Sequence, residues 1–347
     1  MFSAYYRLGE NRFQERHGLD FEDFVPGQRF RHRPGVTLSQ QDNTDEALDT
    51  LNAAMVHYDA HYAAATPWKR PLMVSTITLQ RVVGMASKTF GRRRALLGFS
   101  EILLTGPLFG GDTLYAESWI QECTSGPDAD TGIIKLLLSA LKPDGSAVGR
   151  FTCTMSIPRR GVAIASVTAI ASVEEPRFSA YHDDGGELVE QSGLFFEDCV
   201  PGETFVHSPR RSFFLEDSVR HAWRSLELSP QYQDLDWIAR HGGGTPVVGE
   251  TFVISAATAL TTRTFGRVVA NLGWYDIGLP RPVHVGDTIE AESTILEVRE
   301  SRSRPQEGIV TVATRARNQH GEEVLSYRRN LLVYRRLAAT PYAQAGY

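Results

Sequence analysis

Apolar residues at Leu79, Val82, Val83, Ala86 and Phe90 return every three or four positions, the period that lines up one buried face of a helix. Gly91 follows where a C-terminal cap is expected. The pattern then changes to strand-like runs at 95–104, 112–121, 132–141 and 150–157. Ahead of the helix, Val25-Pro26-Gly27 turns into another strand at 28–37, and a short amphipathic segment runs from Asp45 to Leu51. One mostly buried helix followed by four antiparallel strands predicts a curved sheet wrapped around that helix.

The whole order occurs twice. Gly18-Leu19-Asp20-Phe21-Glu22-Asp23-Phe24-Val25-Pro26-Gly27 returns as Gly193-Leu194-Phe195-Phe196-Glu197-Asp198-Cys199-Val200-Pro201-Gly202. Thr89-Phe90-Gly91 returns as Thr264-Phe265-Gly266, and Gly111-Asp112-Thr113-Leu114 as Gly286-Asp287-Thr288-Ile289. All three matches share one shift of 175 positions, so the chain is a duplicated domain. The second copy carries a strand at 203–213, a helix face at Val253, Ala256, Ala257 and Leu260, and strands at 269–277, 287–298, 308–317 and 323–334. The expected division is a first domain at 1–158, a linker at 159–192, a second domain at 193–336 and a loose tail at 337–347. The linker is rich in Ala, Ser, Glu, Asp and Gly, with room for a short helix near 163–171.

At 347 residues the chain has room for two ordinary domains, and 42% hydrophobic with 22% charged residues is a globular composition. A net charge of -5 argues against a nucleic-acid partner, which calls for a basic face. Every apolar stretch is broken too soon to span a bilayer, so no membrane partner is expected, and the first residues lack the apolar run of a signal peptide. Cys123, Cys153 and Cys199 are an odd number without metal-like spacing, and read as reduced, buried residues. A cytoplasmic protein is the expectation. Gly242-Gly243-Gly244 lacks the Lys-Ser/Thr of a phosphate loop, and no nucleophile elbow or metal cluster stands out.

The candidate chemistry lies in Asn52-Ala53-Ala54-Met55-Val56-His57-Tyr58-Asp59, where a histidine follows an amide by five positions and precedes a carboxylate by two. A histidine in such a loop is also at home as a plain packed residue. Asp59 suits a helix cap as well as a proton-handling role.

The helix-in-sheet pattern, Gly-Asp-Thr opening a long strand, and the segment around His57 resemble the MaoC-like dehydratase family in double hot-dog form. The resemblance covers roughly 18–158 and 193–336. Phe21-Glu22-Asp23-Phe24-Val25-Pro26-Gly27, Leu272-Gly273-Trp274-Tyr275-Asp276-Ile277 and Pro282-Val283-His284-Val285-Gly286-Asp287-Thr288 are most similar to its mesaconyl-CoA hydratase (β-methylmalyl-CoA dehydratase) subgroup. The resemblance implies an α+β fold of two tandem hot-dog repeats. It also implies an (R)-type enoyl-CoA hydratase or dehydratase that uses no cofactor and takes a coenzyme A thioester as substrate. A short branched or dicarboxylic acyl group such as mesaconyl is part of the same implication.

The common family pattern has aspartate five before the histidine and asparagine three before it; this chain has Asn52 and Ala54. Asn52 can orient a water but cannot accept a proton, which leaves His57 the proton traffic, helped by Asp59 or less directly by Asp49. The family holds the thioester oxygen at the start of its central helix, which falls here at Val74, Ser75 and Thr76. Both hydroxyl residues would serve equally as helix caps. Arg92, Arg93 and Arg94 could meet coenzyme A phosphates or simply suit a helix C-terminus.

In the second copy Tyr232 stands for His57, Glu227 for Asn52 and Gly249 for Val74, while Asp234 matches Asp59. That half therefore reads as non-catalytic, with His221 and His241 as packing or surface residues. The mesaconyl-type subgroup carries its active segment in the later half, so an active first half is a departure. Two rivals stay open: a thioesterase, which needs a carboxylate that position 52 lacks, and a non-catalytic acyl-CoA binding protein. A homodimer through exposed sheet edges is expected.

Overall fold

The computed structural model describes residues 2–162, 173–241, 243–336 and 340–345. It opens with a hairpin, β1 (Tyr5–Gly9) and β2 (Arg12–Glu15), followed by β3 (Arg29–Thr37). Helices α1 (Gln40–Asp49), α2 (Ala60–Ala65), α3 (Ser75–Met85) and α4 (Ser87–Phe90) come next. Strands β4 (Ala95–Leu104), β5 (Thr113–Ser125), β6 (Thr131–Leu141) and β7 (Ala147–Pro158) complete the first copy. A second hairpin, β8 (Tyr181–Asp184) and β9 (Glu187–Glu190), precedes the repeat. The repeat holds β10 (Thr204–Val206), β11 (Arg211–Ser212), α5 (Leu215–Arg224), α6 (Leu235–His241), α7 (Glu250–Leu260) and α8 (Thr262–Phe265). It closes with β12 (Val268–Gly278), β13 (Thr288–Glu300), β14 (Glu307–Arg317), β15 (Glu323–Tyr334) and the short α9 (Pro341–Gln344).

The chain forms two compact units, each a hot-dog. In the N-terminal unit the sheet runs β4-β7-β6-β5-β3-β9-β8, and in the C-terminal unit β1-β2-β10-β13-β14-β15-β12. Period-two burial makes these strands one-sided: Ile134, Leu136, Leu138 and Ala140 of β6 all face inward. Against the N-terminal sheet α3 buries Ile77, Thr78 and Val82, while Phe90 of α4 stacks on Phe24 at 5.4 Å. The repeat shift of 175 holds through β13 and becomes 176 from β14 onward, because the turn before β14 is one residue longer than its counterpart before β6.

Three expectations need correction. The stretch 159–192 is not only a linker: its β8–β9 hairpin belongs to the N-terminal unit's sheet, where β9 runs parallel to β3. Residues 2–16 likewise belong to the C-terminal unit, where β2 runs parallel to β10. Each hairpin thus extends the sheet of the copy that it does not lead into. The expected helix near 163–171 lies outside the described residues. The tail carries α9, and Tyr342 packs beneath the Arg267 guanidinium at 4.8 Å, so this end is anchored.

The long helix is also interrupted. α3 stops at Met85, α4 restarts at Ser87, and Gly91 has a right-handed φ of -67° rather than a left-handed cap. Glycine is needed there for space: a Cβ would come within 2.4 Å of both His17 Nε2 and Ser87 O.

Each hairpin is pinned by the same buried polar cluster. In the N-terminal unit His32 Nδ1 lies 2.9 Å from Glu190 Oε1, and its Nε2 lies 3.0 Å from Ser118 Oγ. Glu190 also accepts from Thr89 Oγ1 at 2.6 Å and from the Arg33 N–H at 3.0 Å. In the C-terminal unit the same roles fall to His207, Glu15, Ser293 and Thr264, each 175 positions from its counterpart. The serine–histidine–carboxylate sequence has the distances of a nucleophilic triad. All of its members are buried, so no substrate reaches it, and it serves the fold.

Candidate active site

Helix α1 is started by Ser39, whose hydroxyl accepts from the Asp42 N–H while the Asp42 carboxylate returns a bond to the Ser39 N–H. Such a capping box sets the helix phase, which carries Asn43 inward to complete burial. There its amide donates to His57 O at 2.7 Å and Leu72 O at 3.0 Å, while Oδ1 accepts the Val74 N–H at 2.7 Å. One side chain therefore fixes the histidine segment, the chain entering the central helix, and the helix start.

His57 is half-buried in a short turn, with Nδ1 2.7 Å from Leu72 O. A carbonyl only accepts, so Nδ1 carries the proton, and in the neutral ring the lone pair sits on Nε2. The imidazole is thereby presented in the tautomer a proton acceptor needs. Beside Leu72 lies a hollow of about 360 Å³, walled by Trp68, Leu72, Met73, Ser75, Thr78 and the stretch 104–108.

The expected oxyanion residues separate in the structure. Val74 cannot contribute its N–H, because Asn43 already takes it. Thr76 turns its hydroxyl to Glu46 at 3.1 Å, on α1. Ser75 lines the hollow, and its N–H sits in the first helical turn, where no intrahelical carbonyl can meet it. Of the three, Ser75 is the donor that faces the hollow.

Asn52 and Asp59 shape the backbone. Asn52 Oδ1 accepts the Ala54 N–H at 2.9 Å, closing its own turn, and Asp59 Oδ1 accepts the Tyr62 N–H at 2.9 Å as the cap of α2. Arg92, Arg93 and Arg94 follow α4, past the C-terminal end of α3, which is itself about 16 Å long. Arg92 pairs with Asp20 at 2.9 Å and Arg94 with Asp128 at 3.3 Å, while Arg93 donates to Phe90 O at 3.4 Å. The structure does not bring them to the hollow.

The second copy differs at each of these positions. Tyr232 donates to Glu250 Oε2 at 2.5 Å, and burial first, then that carboxylate, pushes its hydroxyl up to about 12. Ser218 stands where Asn43 would be, buried, with no partner for its hydroxyl among the described residues. His221 stacks on Phe252 at 4.3 Å, and His241 stacks on Trp237 at 5.0 Å.

A MaoC-like domain model matches residues 22–139, and a mesaconyl-CoA hydratase model matches residues 184–345. A mesaconyl-CoA hydratase of Cereibacter sphaeroides is 35% identical over 152 residues, 43% of this chain and 44% of that one. Its namesake in Haloarcula hispanica is 28% identical over 159 residues, 45% of this chain and 44% of that one. The matched region thus spans less than half the length of these relatives. Among solved structures, a MaoC domain dehydratase described as putative, from Chloroflexus aurantiacus, is 18% identical with a TM-score of 0.41, covering 92% of this chain and 98% of its own. A Mycobacterium tuberculosis protein described as a double hotdog is 20% identical with a TM-score of 0.38, covering 91% and 99%. A MaoC-like domain model thus matches within the first half of the chain, and a mesaconyl-CoA hydratase model matches within the second.

Proposed function

We propose that this protein reversibly adds water across the α,β double bond of an enoyl-CoA thioester, using the His57 site of its N-terminal unit and no cofactor. His57 Nε2 takes a proton from water as the oxygen bonds to the β-carbon. The double-bond electrons move toward the thioester oxygen, which the Ser75 N–H meets. The proton on Nε2 then passes to the α-carbon, so one water is added and the imidazole is restored. The observation that carries this reading is the bond from His57 Nδ1 to the carbonyl of Leu72, which leaves the lone pair on Nε2 and ties the ring to a residue that lines the hollow.

The names of the matched relatives support the reaction class. No described helix is long and apolar enough to cross a membrane. A dimer in the cytoplasm belongs to the same proposal, supported by apolar side chains bare along β4 and β12, Leu97 and Trp274 among them. The test is loss of enoyl absorbance with crotonyl-CoA, alongside an assay for released thiol. Hydration by wild type that disappears in His57→Ala is expected. Thiol release without hydration would make the protein a thioesterase and overturn the reading.

A further inference from the structure

The walls of the hollow carry more information than its position. Trp68, Leu72, Met73, Leu104, Pro107 and Leu108 supply mostly carbon, and the side chains of Ser75, Thr78 and Thr105 supply hydroxyl groups. The Thr105 hydroxyl already donates to Ala147 O at 2.8 Å. No lining residue is ionisable. A carboxylate placed among such walls would lose its water and gain no counter-charge.

The surroundings reinforce this. The helix start offers little to a second anion, because Asn43 occupies the Val74 N–H and the Ser75 N–H faces the thioester oxygen in the reaction above. Glu46, next to Thr76, adds a negative charge on the α1 side of that helix start. Lys69 and Arg70 follow Trp68 directly, but Lys69 does not line the hollow and Arg70 is held 3.9 Å over Phe109. Phe109 lies 6.2 Å from the Trp68 ring, and neither Arg70 nor Phe109 lines the hollow.

From this we infer that the hollow receives an uncharged acyl tail, so that the substrate of the His57 site is a neutral enoyl-CoA and not a dicarboxylic one. At about 30 Å³ per non-hydrogen atom, a volume near 360 Å³ holds roughly a dozen such atoms. Tails of medium length fit. Selectivity for them comes from Leu104, at the half-exposed end of β4, and from Trp68, likewise half-exposed. The inference rests on the hydratase reading and names its substrate class. It separates this chain from what the names of its mesaconyl-CoA hydratase relatives describe.

The experiment compares kcat/KM for crotonyl-, hexenoyl-, octenoyl- and mesaconyl-CoA in wild type, Leu104→Arg and Arg70→Ala. Wild type should favour the best neutral substrate over mesaconyl-CoA by about a hundredfold. Leu104→Arg, which brings a guanidinium to the rim, should lower octenoyl-CoA turnover and narrow that gap. Arg70→Ala should leave the neutral substrates unchanged. Mesaconyl-CoA as the best substrate, with dependence on Arg70, would overturn the inference and leave the hydratase reading standing. Failure to turn over any of the four would instead sink the hydratase reading. Equilibrium binding then still decides the tail: octanoyl-CoA should bind tighter than succinyl-CoA, and the reverse order overturns the inference.

Discussion

At the residue scale, the chemistry depends on which polar groups are open to a substrate and which are already engaged. Ser75 is the sharpest case, because its backbone and not its hydroxyl is assigned the work. Proline is tolerated at a first helical position and removes the N–H, and Val74, at φ -57° and ψ 127°, already has the conformation proline demands of the residue before it. Ser75→Pro should therefore fold with a wild-type melting temperature and lose about a hundredfold or more in kcat, the usual cost of one oxyanion donor. Ser75→Ala keeps the N–H and should stay near wild-type activity. Equal losses in both variants would assign the role to the hydroxyl.

Asn43 is the residue that sequence reasoning missed. An asparagine in a polar stretch of an amphipathic helix looks like a solvated one, and only the folded chain shows Leu72 O, His57 O and the Val74 N–H converging on it. Asn43→Ala leaves these buried backbone groups unpaired, so it should destabilise by about 1–3 kcal/mol. A urea midpoint would show this, and kcat should fall with it because His57 loses its fixed position. The composition of the His57 segment singled out that histidine, and the structure gives its Nδ1 a partner in Leu72 O. The flanking Asn52 and Asp59 suggested chemistry and turned out to hold turns, since short polar side chains satisfy nearby backbone in the same sequence contexts.

At the scale of elements, the four long strands after each central helix were legible, with 95–104 and 323–334 found to the residue. The exchanged hairpins were not, because strand partners far apart in sequence leave no local trace. Two signals were nevertheless present. Gly185-Gly186, both at positive φ, is the two-residue turn of a tight hairpin. Polar identities at the repeat spacing, His32 with His207 and Glu15 with Glu190, mark a duplicated buried cluster.

That cluster makes a prediction about acid. Burial raises the Glu190 carboxyl, but His32, Lys88 and Thr89 outweigh it and hold the group below its ordinary value of 4.5. A group depressed in the folded state stabilises above its unfolded pKa and loses that contribution as pH falls through the folded one. Stability should therefore drop as pH falls below about 4.5. Glu190→Gln should lower stability at neutral pH by about 3 kcal/mol and flatten the acid slope. Chemical unfolding at several pH values reads both; an unchanged slope would mean that Glu190 is not a pin.

At the scale of the whole molecule, duplication has allowed the two copies to diverge around one plan. Both keep the hairpin pin, which the fold requires. Only the first copy has the arrangement of Asn43, His57 and Ser75, while the second has Ser218, Tyr232 and Glu250 in those places. The most direct measurement is the steady-state rate of enoyl-CoA hydration by His57→Ala and Tyr232→Phe, made side by side with wild type. His57→Ala should lose at least about a hundredfold in kcat, and Tyr232→Phe should keep it. Activity retained in His57→Ala and lost in Tyr232→Phe would place the chemistry in the C-terminal unit and contradict the account.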